Sequence, residues 1–177
     1  MTTVITVPPS LDDATFEQIF EQLATLPPDA RLLVDARHAR WASPYGLTAL
    51  LALAQSREVR PSFAPPDAED TVSYWARTGF FRHAERLYDF GRPVPRARAA
   101  GESSVLLELT SVSQAGDVHE VVERIQERSK AILHDGLGLD ARATIGFSMT
   151  LSEACQNIVE HAGRGGWVAV QTYTWRK

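Results

Sequence analysis

Apolar positions alternate between short unbroken runs and longer stretches at helical spacing. Residues 4–7 form a β-like run closed by Pro8-Pro9, and Ser10 and Asp12 can cap a helix beyond them. Over 14–26, Phe16, Ile19, Phe20, Leu23 and Leu26 keep helical spacing, with Glu17 and Glu21 opposite. Pro27-Pro28-Asp29 ends that helix. Residues 31–36, RLLVDA, stay apolar without alternating, as a strand covered on both faces does. After a loop over 37–45 comes a helix over 46–56, with Leu47, Leu50, Leu51 and Ala54 inward. A third strand spans 59–63, and Pro65-Pro66-Asp67 opens a helix over 68–78 that stops at Gly79. Trp41, Trp75, Phe80 and Phe81 are expected in the core. The β-α-β-α-β-α alternation with short connections predicts a small α/β domain over 1–90, with a mainly parallel sheet and right-handed crossovers.

Residues 91–101, GRPVPRARAAG, interrupt the pattern with three arginines and no acid, and read as an exposed linker. A second, α+β segment over 102–177 starts with a strand over 105–110. A helix over 117–134 places Val118, Val121, Val122, Ile125, Ile132 and Leu133 on one stripe, and Asp117 favours its N-terminus. After a loop over 135–139, Asp140 caps a long helix ending at the glycines of 163–166. Leu151, Ala154, Ile158 and Ala162 are its expected core flank. A strand over 167–175 sets Val168, Val170, Thr172 and Thr174 on one face.

The totals remove several function classes. A net charge of −4 gives no footprint for nucleic acid or an anionic membrane. No apolar run reaches the roughly 18–20 residues of a bilayer span. The opening MTTVITVPPS lacks the basic and apolar regions of a secretory signal. One cysteine, Cys155, sits in an apolar helix pattern as a small core residue. The expectation is a cytoplasmic protein.

The chemistry concentrates in TIGFSMTLSEACQNIVEHAG, residues 144–163. Glu153, Asn157 and His161 lie four apart, on one side of a helix. Magnesium keeps several waters and binds through few protein oxygens, so the Asn157 carboxamide suits it. A carboxylate one turn away can orient or deprotonate a nucleophile attacking a phosphate. His38, His83, His119 and His134 show no ligand spacing.

The run LSEACQNIVEHAG, with a small-residue turn and a strand after it, resembles the N-box of the GHKL ATPases. The likeness is nearest to the bacterial histidine-kinase-like and anti-sigma serine-kinase branch, and covers about 105–175. It implies Asn157 as the magnesium ligand and Glu153 as the catalytic general base or orienter. It also implies His161 at the ATP site or the helix end. That family also uses an Asp-x-Gly-x-Gly turn that reads adenine and a Gly-rich lid, and neither motif occurs in these residues. The chain thus resembles the N-terminal part of such a domain. The resemblance implies Mg2+ and ATP in a full-length parent, and these residues alone are expected to bind Mg·ATP weakly or not at all.

In the first half, RLLVDARHARWASPYGLTALLAL resembles the core of STAS (anti-sigma-factor-antagonist) domains over about 4–90. Phosphorylated members carry hydroxyl residues in the turn before the glycine, at a helix N-terminus. Here the turn is Ser43-Pro44-Tyr45-Gly46. Ser43, with Tyr45 beside it, is the remaining candidate for modification, and the plain reading is a lost switch. Together the two likenesses imply a partner-switching regulator that docks protein partners or its own kinase half. The alternative is a non-catalytic scaffold with a vestigial ATPase helix. The strand over 167–175 would leave a sheet edge that invites a homodimer or domain swap.

Overall fold

The computed structural model describes residues 2–96, 105–129, 140–163 and 165–171. The chain is mixed α/β with a parallel sheet and divides into two compact units, Met1–Glu102 and Ser103–Lys177.

In the first unit, β1 (Thr3–Thr6), β3 (Leu32–Asp35) and β5 (Ser62–Ala64) form a parallel sheet in the order β1-β3-β5. The helices α1 (Asp13–Ala24) and α2 (Pro44–Gln55) are the crossovers. Both crossovers step in the same direction, so right-handed connection sets both helices on one face. Burial agrees with this. Ile5, Val34 and Phe63 share a row and are buried, whereas Val4, next to Leu33 in the adjacent row, is 51% exposed. The expectation that 31–36 is covered on both faces holds for the row of Leu32 and Val34, which are buried, but Leu33, in the row of the exposed Val4, is only partly buried.

Two short strands, β2 (Ser10–Leu11) and β4 (Trp41–Ala42), pair in parallel beside this sheet. The third strand begins at Ser62 rather than 59, and its ladder continues to Asp89, whose N–H donates to the Pro61 carbonyl at 2.8 Å. Asp12 caps α1 as expected, in a reciprocal box with Thr15. Phe16 and Ile19 are buried there, but Phe20, expected inward, is 64% exposed. It stands one residue, or about 100°, beyond Ile19, past the covered side. Trp41 is likewise 39% exposed, at the end of a two-residue strand with little to cover it. Leu47, Leu50, Leu51 and Ala54 of α2 are buried as expected.

The helix expected over 68–78 is α3 (Glu69–Arg77). A further helix comes next, α4 (Phe80–Leu87), which burial of Phe80, Phe81 and Ala84 fixes in place. Trp75, Phe63 and Phe80 form an aromatic cluster with ring centroids 5.1 to 6.4 Å apart. Tyr88 completes it, 4.9 Å from Phe63.

In the second unit, β6 (Val105–Val112) pairs antiparallel with β7 (Gly166–Gln171). The helices α5 (Ala115–Ser129) and α6 (Ala141–His161) pack on each other and on β6. The core holds Leu107, Val112, Val118, Val121, Leu151 and Cys155, with Val168 and Val170 packed against it. Asp117 lies in the first turn of α5 and reaches back to the N–H groups of Ser113 and Gln114 at 2.7 and 3.1 Å. Those backbone bonds hold its carboxyl below the usual range. The turn into β7 needs glycine at 165, where φ is 72° and a Cβ would meet the Val112 carbonyl at 2.7 Å. The expectations for residues 97–101, 130–139 and 172–175, and for the side chain of Ile125, lie outside the described residues.

Candidate functional site

The helix α6 starts on Asp140, whose carboxylate accepts from Ala143 N–H at 2.7 Å. Ser148, Leu151 and Cys155 form its buried stripe, with Ile158 and Val159 packed beside them. Ala154 and Ala162, expected on this flank, are exposed instead. The stripe advances in steps of three and four residues through 148, 151, 155 and 158. Cys155 is buried as expected, while Ala154 lies about 60° around the helix from Leu151 on the opposite side from Cys155, and so falls off the stripe. Burial pushes the Cys155 thiol up.

Glu153, Asn157 and His161 are all exposed, on the side away from this stripe. They belong to one row of four-residue steps that begins two turns earlier. Ile145 and Met149 open the row, 60% and 68% exposed. Thus a single ridge of α6 carries two apolar side chains, then a carboxylate, a carboxamide and an imidazole. Sequence reasoning names the last three and misses the first two. Their place off the buried stripe, four residues apart, was the available signal. Near the C-terminal end, Gln156 donates to Glu160 at 2.9 Å, and His161 Nε2 lies 3.9 Å from the other Glu160 oxygen. His161 thus has a helix-end partner when protonated.

Among the described residues no group of three or more His, Cys, Asp or Glu side chains could hold a metal ion. Asn157 offers a single neutral oxygen, a donor of the kind magnesium takes beside water and phosphate, and Glu153 lies one turn away on the same ridge.

Ser43 lies in the other unit, at the N-cap of α2. Its Oγ accepts from Gly46 N–H at 3.1 Å, and its own N–H donates to the Leu11 carbonyl at 2.8 Å. Pro44 at the first helical position removes one N–H from the helix end. The hydroxyl is half-buried and its cap role explains it. Tyr45 is 53% exposed and meets Phe16 edge-on at 6.2 Å.

At the end of β3, Asp35 is buried. Its carboxylate accepts from Arg37 Nε and Nη2 at 2.9 and 2.6 Å, and from the Arg37 backbone N–H at 3.1 Å. The guanidinium holds the Asp35 carboxyl below the usual range, against the opposing effect of desolvation. Arg37 is in turn pushed up by Asp35.

No helix among the described residues is long and apolar enough to cross a membrane. Compared with family models, curated proteins and solved structures, the chain matches none.

Proposed function

We propose that this chain is a signalling regulator of the partner-switching type. Its first unit is a STAS-like protein-docking domain, and its second carries the metal-binding half of a GHKL-type ATP site. The observation that supports this most is the division of α6. Leu151 and Cys155 anchor one side, while Glu153 and Asn157 stand exposed one turn apart on the other.

In this reading Asn157 Oδ1 supplies the protein oxygen for a magnesium ion on the phosphates of ATP. Glu153 orients or deprotonates a water or hydroxyl attacking the terminal phosphate. Magnesium, when bound, neutralises charge on the phosphates. His161 borders the site or secures the helix end through Glu160.

Manganese replacing magnesium tests this, because it broadens nearby NMR signals even when binding is weak. With Mn·ATP at millimolar concentration, the amides of 153–157 should broaden selectively, and Asn157→Ala should remove the effect. Equal broadening in the wild type and Asn157→Ala sinks the reading.

A second reading, a scaffold without catalysis, is favoured by Ile145 and Met149, which give the same ridge an apolar half suited to a protein partner. Both readings include self-association, since β6 and β7 form a two-stranded sheet among the described residues. Light scattering should report a dimer; monomer alone at high concentration contradicts that part.

A further inference from the structure

The side of the parallel sheet that carries Leu33 sinks, beside β3 and β5, into a cavity of about 300 Å³. Its lining residues include Leu33 and Phe90, two arginines, Arg37 and Arg92, and two aspartates, Asp67 and Asp89. All six belong to the first unit.

The walls are fastened. Arg37 is held by Asp35 through Nε and Nη2, which leaves Nη1 and the flat face of the guanidinium for other partners. The Asp67 N–H donates to the Arg37 carbonyl at 3.1 Å, tying one wall to the next. Asp89 sits in the strand ladder, its carbonyl accepting from Phe63 N–H at 2.7 Å and its carboxylate from Gly91 N–H at 3.1 Å. A ligand would thus meet two side chains, Arg37 and Asp89, whose positions are already set, which lowers the entropic cost of binding.

The lining also selects by charge. A simple anion meets two carboxylates, a simple cation meets two guanidiniums, and a neutral apolar molecule strips water from all four without replacing it. A molecule carrying both signs on a short frame satisfies each pair. The volume is at the lower end for small-molecule sites.

We propose that this cavity binds a free α-amino acid with an apolar side chain. Its carboxylate lies against Arg37 and Arg92, its ammonium against Asp67 and Asp89, and its side chain against Leu33 and Phe90. This site is independent of the nucleotide reading and gives the first unit a small-molecule ligand of its own.

The test is an NMR titration of the isotope-labelled full chain with L-phenylalanine and L-leucine, then with N-acetyl-L-phenylalanine and L-phenylalanine methyl ester. A free amino acid should shift the amides of Arg37, Asp67 and Gly91 saturably. Each blocked form, lacking one charge, should bind at least tenfold more weakly. Arg92→Gln and Asp67→Asn alter exposed side chains and should each weaken binding at least fivefold, with circular dichroism unchanged. Absence of saturable shifts with both amino acids, equal binding of the blocked forms, or wild-type affinity in both variants would overturn the proposal.

Discussion

A Cβ added to Gly46 would lie 2.7 Å from both the Cγ and the carbonyl oxygen of Leu11. The first turn of α2 is therefore pressed directly onto β2, and Ser43 is held against the same Leu11 carbonyl. Alanine at this position gains about 1 kcal/mol of helix propensity. The clash costs about 1–3 kcal/mol, and the Leu11 backbone cannot swing aside as a side-chain tip can. Gly46→Ala should therefore lower the urea midpoint of the first unit. An unchanged or raised midpoint would show that this contact is looser than its distance implies.

Tyr88 is buried, and its hydroxyl donates to the Leu50 carbonyl at 2.5 Å. Tyr88→Phe keeps the ring in the Phe63 cluster and removes only that bond, at a cost of about 1 kcal/mol. Burial raises the phenol from its ordinary value of 10.0. The unfolded chain then ionises first, so the stability Tyr88 contributes is complete below about pH 10 and declines above it. Stability measured by denaturation from pH 8 to 11 should fall less steeply in Tyr88→Phe than in the wild type.

The Asp35–Arg37 pair acts at the other end of the scale. The Asp35 carboxyl is held below its ordinary value of 3.8, so its contribution is present above that pH and is lost as pH falls through the lower folded value. Arg37→Ala should lower the melting temperature at pH 7 and flatten the fall in stability below about pH 4. A variant that retains the full acid slope would assign that slope to other carboxylates.

Glu153 and Asn157 stand exposed on α6, so neither contributes to the core. Glu153→Ala and Asn157→Ala should each change stability by no more than about 0.5 kcal/mol. Leu151→Ala, on the buried side of the same helix, should cost about 2–5 kcal/mol. Chemical denaturation compares the three. A large loss in Asn157→Ala would make that side chain structural and remove it from any ligand site.

Much of the organisation was legible along the chain. Prolines at 8–9, 27–28 and 65–66 punctuate the first unit, and Asp12 and Asp140 cap helices by local rules that need no distant partner, whereas Ser43 proved a cap only once α2 was seen to start at Pro44. The spacing of Leu47, Leu50, Leu51 and Ala54 marks a face that is buried. The helix α4 escapes sequence reasoning because Gly79 stops α3 and the chain turns helical again at once, over too few residues for a period to register.

The candidate sites divide in the same way. Local spacing alone set Glu153, Asn157 and His161 on one ridge of a helix, since rotation per residue is a property of the backbone. Tertiary packing decided which neighbours shared that ridge with them, and which side of each element met water. It left Phe20, Ile145, Met149 and Ala154 exposed and kept Leu33 only partly covered. The cavity of Arg37, Asp67, Asp89 and Arg92 joins residues far apart in the chain, brought together only by strand order. Periodicity fixes relative angle within an element; burial depends on what the rest of the chain places opposite, and no local pattern encodes that.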